Sequence, residues 1–174
     1  MNMVEIQDRI ATIPPGKFFA GNPVEVLRRA IWKMSGNYDY ILIDCPPNMG
    51  LITLNALRIY NSYMIPAIPD VLSTYGIPQI VKRVNDFAAD IAQDIECLGV
   101  IATKVRVQSG LHMRTLDELK KGKDAPLFET VFYENSEIAV AAEYRQVNTL
   151  RQRFGYGGQY DTFKALAEEY MKRA

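Results

Sequence analysis

Residues Tyr38–Leu57 read YDYILIDCPPNMGLITLNAL, and this stretch decides the fold class. The β-rich run Tyr40–Asp44 (YILID) ends in a carboxylate, and Pro46 and Pro47 follow at once. A proline donates no backbone hydrogen bond, so the pair stops a strand and stiffens the turn after it. Beyond the turn, Leu51–Tyr60 repeats its apolar residues at helical spacing. Ligands of open α/β sheets bind at the carboxyl ends of the strands, where Asp44 would lie. A carboxylate there suits a magnesium ion held through its water shell against nucleotide phosphates. The same residues also allow a plainer reading, an aspartate that caps the next turn.

Working outward, β-rich runs recur at Tyr63–Ile68 (YMIPAI), Leu98–Thr103 (LGVIAT) and Thr130–Tyr133 (TVFY). Helical periodicity marks Pro23–Met34, Ile77–Ile91, Leu111–Lys121, Ser136–Tyr144 and Tyr160–Lys172, besides Leu51–Tyr60. Asn22 is placed to cap the first of these, with Pro23 at its first position. Strands alternating with helices imply βαβ units and a mainly parallel sheet flanked by helices, an α/β fold. The 174 residues carry 20 basic and 20 acidic side chains, 48% apolar and 23% charged residues. That composition suits one globular domain and excludes a protein that coats nucleic acid by bulk charge.

The N-terminus has no signal-peptide layout, and no apolar run reaches the ~18–20 residues that span a bilayer, so a cytoplasmic protein without membrane contact is expected. Cys45 and Cys97 lie outside metal-ligand spacing and read as buried free thiols. His112 is the only histidine, which leaves no partner for a histidine-based catalytic or metal site and suggests a surface helix position. Trp32 and Phe87 read as core. Tyr133, Tyr144, Tyr156 and Tyr160 read as packing of the last helix. Two glycine-bearing stretches resemble phosphate loops only at first glance. Pro14–Lys17 (PPGK) lacks the G-x-x-x-x-G-K-[ST] spacing, and Arg153–Gln159 (RFGYGGQ) follows no strand and precedes no lysine.

The stretch YDYILIDCPPNMGLITLNAL resembles the Walker B region of ParA-type partition ATPases, within the ParA/MinD group of deviant P-loop ATPases. The resemblance runs through Ile10–Arg29 (IATIPPGKFFAGNPVEVLRR), Ile65–Ile77 (IPAIPDVLSTYGI), Gly99–Thr103 (GVIAT) and Phe132–Ala141, essentially the whole chain. It implies one ParA-like α/β domain over 1–174, three-layered and P-loop NTPase-like, but incomplete. The family's loop K-G-G-x-G-K-[ST] would lie upstream of Met1 and has no substitute here. Without its lysines and amides, a transferring phosphoryl group loses most of its electrostatic stabilisation, so no hydrolysis by this chain alone is expected. The loop's strand would also be missing from the sheet centre, which implies self-association or a rearranged sheet.

The resemblance assigns Asp44 to water-mediated magnesium binding, with Cys45, Pro46 and Pro47 as the turn after it. It assigns Pro69, Asp70, Val71 and Thr103 to the nucleotide-base pocket. Thr103 could equally satisfy its own strand end. Asn48 and Thr53 are weaker candidates beside backbone amides that could face anions. ATP and Mg2+ are the implied cofactors. The implied partners are a second copy, nonspecific DNA and a centromere-binding protein of plasmid or chromosome segregation. Lys82, Arg83, Arg106, Arg114, Lys120 and Lys121 are candidate DNA contacts, against the plainer reading of Asp117–Lys123 (DELKKGK) as a solvated helix face. A nonenzymatic binding module that pairs with itself or an intact relative stays open. So does another enzyme of the superfamily, such as a cobyrinate amidation or dethiobiotin synthase relative.

Overall fold

The computed structural model describes residues 23–123, 125–141, 143, 146–154 and 158–174. Asn22, Ile10–Gly21, Tyr144 and Tyr156 lie outside them. The chain divides into two compact units, one holding Arg83–Glu96 with the residues up to Ser62, the other Tyr63–Lys82 with Cys97–Ala174.

In the first unit a 3-10 turn, Pro23–Glu25, leads into helix α1, Val26–Ser35, and after the Asp44 stretch comes α2, Leu51–Leu57. The first amides of a helix have no intrahelical partner. Here the buried Asn55 meets that need for Leu27, whose N–H donates to Asn55 Oδ1 at 3.1 Å, while Asn55 Nδ2 donates to the Leu51 carbonyl at 2.9 Å. Arg58 ties the helix ends together. Its Nε donates to Glu25 Oε1 at 2.5 Å and its terminal nitrogen to Gln93 Oε1 at 2.7 Å. Gln93 in turn donates to the Tyr60 carbonyl at 3.0 Å. The bond from Arg58 is the main reason that the Glu25 carboxyl ionises below its ordinary range.

The second unit is built on a sheet. Strand β1, Ser62–Ala67, pairs with β2, Glu96–Ala102, across the crossover helix α3, Val71–Asp90. On its other edge β2 meets residues 126–134 through parallel bridges at Val100–Leu127 and Val105–Tyr133. Backbone bonds of 2.8–2.9 Å run from Val100 to Pro126, from Phe128 to Val100 and from Phe132 to Ala102. The result is a parallel sheet flanked by helices. Leu98 to Ala102 are all buried, as a strand covered on both faces should be. Ile65, Ile77, Val81, Val100 and Ala125 form one apolar cluster. Leu98, Ile101, Phe128 and Phe132 form another, against Phe163, Leu166 and Tyr170. The remaining helices are α4 (Gly110–Lys121), α5 (Ser136–Ala141), α6 (Leu150–Phe154) and α7 (Gln159–Arg173).

Arg173 locks α7 to the sheet. One terminal nitrogen donates to the Leu98 carbonyl at 2.9 Å, the other to the Leu127 carbonyl at 3.1 Å and to Glu169 Oε1 at 2.7 Å. Glu169 also accepts from the Glu129 and Thr130 amides and the Thr130 hydroxyl, at 2.8–3.0 Å. Burial is the largest single influence on the Glu169 carboxyl and raises it. The donors from residues 129 and 130, with Arg173, together outweigh burial and leave it below its ordinary value.

Several expectations need correction. Tyr40–Asp44 forms no strand. Tyr40, Leu42 and Asp44 are exposed while Ile41, Ile43 and Cys45 are half-buried, so the period-two burial pattern is present although no strand is formed there. Thr130–Tyr133 contributes a single bridge rather than a strand. Helix α3 begins at Val71, six residues before the expected start, and continues through Pro78. Leu150–Phe154 is helical although its own pattern did not mark it. Trp32 is 68% exposed rather than core, and both free cysteines are half-buried rather than buried.

Gly99 has φ +138°, and an added Cβ would sit 2.1 Å from the Pro126 carbonyl oxygen. Gly99→Ala is expected to cost about 2–4 kcal/mol in urea unfolding, from strain and overlap together. Glu169 supplies a pH test. Because its folded-state pKa is depressed, its contribution is present above the ordinary carboxylate range and is lost as pH falls through the folded value. In Glu169→Gln, the loss of stability in acid below about pH 4.3 should become shallower than in the parent.

Candidate functional site

The residues assigned to magnesium and those assigned to the base fall in different units, so each group is described by itself. Asp44 ends the extended stretch of the first unit with an exposed side chain. The Cys45 thiol beside it is pushed up, by burial first and by the Asp44 charge second, and it lies 3.7 Å from the Ile43 carbonyl. Past Pro46 and Pro47 the turn closes on itself. The Asn48 amide donates to the Pro46 carbonyl at 2.7 Å, and the Gly50 amide donates to Asn48 Oδ1 at 3.0 Å. Thr53 donates its hydroxyl to the Asn48 carbonyl at 2.7 Å. The Asn48 side-chain oxygen and the Thr53 hydroxyl thus brace the turn. This geometry leaves Asp44 as an exposed oxygen donor on a stiff corner, and oxygen donors with waters are what Mg2+ prefers.

In the second unit the structure brings Pro69, Asp70, Val71 and Thr103 to the carboxyl ends of β1 and β2. Pro69 is fully buried. Asp70 caps α3, accepting from the Ser73 amide at 2.8 Å with the Ser73 hydroxyl 3.0 Å away. Those bonds, the amide first, hold its carboxyl below the ordinary range. The Thr103 amide and hydroxyl both donate to the Ala67 carbonyl, at 2.8 and 3.2 Å. Its hydroxyl proton is therefore spent at its own strand end, and only the oxygen lone pairs remain to accept from a ligand. Lys104, next to it, takes a left-handed backbone at φ +51°. His112 lies partly buried on α4, with Nδ1 accepting from the Arg106 amide at 3.1 Å.

The basic candidates separate in the same way. Lys82 belongs to the second unit and Arg83 to the first, both exposed on α3. Arg114, Lys120 and Lys121 are exposed on α4, with Lys120 3.8 Å from Asp117. Arg106 differs from them. Its guanidinium grips Glu134 at 2.7 and 2.9 Å, which neutralises the charge that a phosphate would need. A cavity of about 540 Å3 contains none of these residues; it is lined by Glu129, Asp161, Glu168 and Glu169 among others, and its acidic walls disfavour phosphate. Among the described residues no His, Cys, Asp and Glu cluster is arranged to hold a metal. No described helix is long and apolar enough to cross a membrane.

Sequence reasoning missed the structural duties of Asn55, Arg58, Glu169 and Arg173. It could have found one of Asp70's, because Asp70-Val71-Leu72-Ser73 has the spacing of a helix cap to its third residue.

Against known proteins, a family described as an AAA domain matches residues 4–97. The chain is 31% identical over 118 residues to the sporulation initiation inhibitor protein Soj of Bacillus subtilis, covering 68% of this chain and 47% of that protein. It is 26% identical over 147 residues to the chromosome partitioning protein ParA of Myxococcus xanthus, covering 84% and 51%. The chain thus spans about half the length of these curated relatives. Among solved structures it is similar to cobyrinic acid a,c-diamide synthase from Mycobacterium smegmatis, solved with an ATP analog and magnesium. The TM-score is 0.63 at 21% identity, over 76% of this chain and 52% of that one. At that identity the likeness shows the P-loop NTPase-like fold alone.

The cap gives a direct test of Asp70. Asp70→Ala should lower stability by about 1 kcal/mol in thermal or urea unfolding, and Asp70→Ser should recover most of it.

Proposed function

The chain belongs to the ParA/MinD-type partition ATPase family, and from that premise we propose that it serves DNA segregation as the magnesium- and base-binding part of a partition ATPase. The observation that carries this reading is Asp44, an exposed carboxylate followed by Cys45-Pro46-Pro47 within the region that the family matches. Relatives named for chromosome partitioning support the setting, and a structural neighbour solved with an ATP analog and magnesium supports the cofactors.

Bound MgATP would supply the phosphate and metal chemistry. Asp44 would hold the ion through water. In the second unit a base would lie against the exposed Val71, with the Thr103 oxygen accepting from a donor such as an exocyclic amine, while the buried Pro69 and the Asp70 cap fix the backbone behind it. Residues 1–174 carry no phosphate loop. Their role on this reading is to bind nucleotide without turning it over unaided. Copies of the chain would associate, a centromere-binding protein would act on them, and nonspecific DNA would be met by Lys82, Arg83, Arg114, Lys120 and Lys121. Arg106 would join only by releasing Glu134.

Calorimetric titration with ATP, with and without Mg2+, tests this reading. Magnesium-dependent heat is expected for the parent chain, and Asp44→Ala should remove the magnesium-dependent part. Affinity that is the same in Asp44→Ala, or indifferent to EDTA, would take Asp44 out of the role.

A further inference from the structure

Residues 103–109 leave the carboxyl end of β2 at the proposed base pocket and lead into α4. Their backbone takes an unfavourable shape. Lys104 is a left-handed non-glycine residue at φ +51°, a conformation that persists only where its surroundings hold it. Before it stands Thr103, whose amide and hydroxyl both donate to the Ala67 carbonyl. After it, the Val105 amide donates to the Phe132 carbonyl at 3.0 Å, and the Val105 carbonyl accepts from the Glu134 amide at 2.9 Å. Arg106 is held at every polar group it has. Its carbonyl accepts from the Ser109 amide at 3.0 Å, its guanidinium grips Glu134, and its amide donates to His112 Nδ1 at 3.1 Å.

The bond to His112 is the one among these that a proton breaks. His112 sits in the first turn of α4, and its own amide donates to the hydroxyl of Ser109, the capping residue, at 3.3 Å. The ring thus reaches back from a fixed helix start onto the loop. An imidazole that accepts at Nδ1 carries its proton on Nε2. A second proton leaves it two donors and no acceptor, and the Arg106 amide then faces a donor. The charged groups around the ring are Asp70 at the head of α3, Glu134 beyond the bridged segment, and Lys104 and Arg106 on the loop. The Ser73 amide before all else keeps the Asp70 carboxyl below its ordinary range, and the bond from Arg106 does the same for Glu134. Both acids therefore keep their charge between about pH 5 and about pH 8, the span in which imidazoles as a class change theirs. His112 is the only histidine of the chain.

We propose that His112 is a positioning residue for the base pocket: its neutral ring holds residues 103–109 in the shape that presents the Thr103 oxygen, and protonation of the ring releases them. The inference rests on the base pocket of the reading above and adds the group that shapes it. With the Arg106 amide free, the strain at Lys104 falls on the bonds of Val105 and Thr103 alone. Thr103 is the end of the loop that a base would touch, so the loss is felt there. Binding of a base is then linked to the neutral ring, and a bound base disfavours protonation by the same factor by which protonation weakens the base.

Nuclear magnetic resonance of the isotope-labelled 174-residue chain, titrated with adenosine at both ends of that pH span, tests this. Adenosine carries no phosphate, so neither phosphate charge nor magnesium enters the comparison. In the parent chain the Arg106 and Thr103 amide signals should follow the imidazole signal through its titration. Adenosine affinity should fall about fivefold from the higher pH to the lower, the weight of one hydrogen bond. His112→Ala should show at the higher pH the amide shifts and the weaker affinity that the parent shows at the lower. His112→Asn sets an amide oxygen in the place of Nδ1 and has no proton to gain. It should recover most of what His112→Ala loses and keep it at the lower pH, which a residue that merely fills space would not do. Arg106 and Thr103 signals that ignore the imidazole overturn the proposal, as does an asparagine variant whose affinity still falls with pH. Adenosine bound equally by all three chains at both pH values sinks the role of His112 and leaves the base pocket standing. Adenosine that moves no signal, while Arg106 and Thr103 follow the imidazole, sinks the base pocket and upholds the control of the loop by His112.

Discussion

At Gly99 the backbone of β2 passes so close to the Pro126 carbonyl that no side chain fits, and Arg173 reaches the same place from the last helix. This crowding is what lets residues 126–134 lie along the edge of β2 that β1 does not use. A parallel strand needs partners on both edges and cover on both faces, because its backbone groups cannot be left unpaired inside a protein. Gly99 permits the close approach. Arg173 then satisfies the Leu98 and Leu127 carbonyls, and its guanidinium lies 4.0 Å over the Phe128 ring. Drawing a guanidinium partly out of water is unfavourable unless its charge is met, and Glu169 meets it. The last helix is thus fastened by a charge pair whose spare hydrogen bonds go to backbone and to the Thr130 hydroxyl, and the apolar cluster of Phe128, Phe132 and Phe163 closes around that fastening.

The contrast between β2 and Tyr40–Asp44 shows what a sequence can disclose. Both stretches are mostly apolar and each carries β-branched residues. Only β2 is built into a ladder among the described residues. Strand propensity measures fit to a pleated, half-buried surface, and the partner decides whether a ladder exists. Helices are more self-sufficient, since their hydrogen bonds are internal, and all six expected helices were found. Their ends were harder to place. Gly76 and Pro78 made the start of α3 look later than it is, while the true signal, Asp70 three residues before Ser73, is a local hydrogen bond that a periodicity count does not see.

The candidate site was legible as a set of residue types and only partly as a set of free groups. Asp44 remains an available carboxylate. Asp70, Thr103 and Arg106 were chosen for chemistry that their side chains already spend on a helix cap, a strand end and an ion pair. The duties of Thr103 and Arg106 are set by neighbours distant in sequence, Ala67 and Glu134, and no local pattern reveals them. Trp32 failed in the opposite way. Helical spacing placed it on a face, but a helix as short as α1 turns its faces inward only where another element waits, and Arg28, Arg29 and Lys33 share the side on which Trp32 lies exposed.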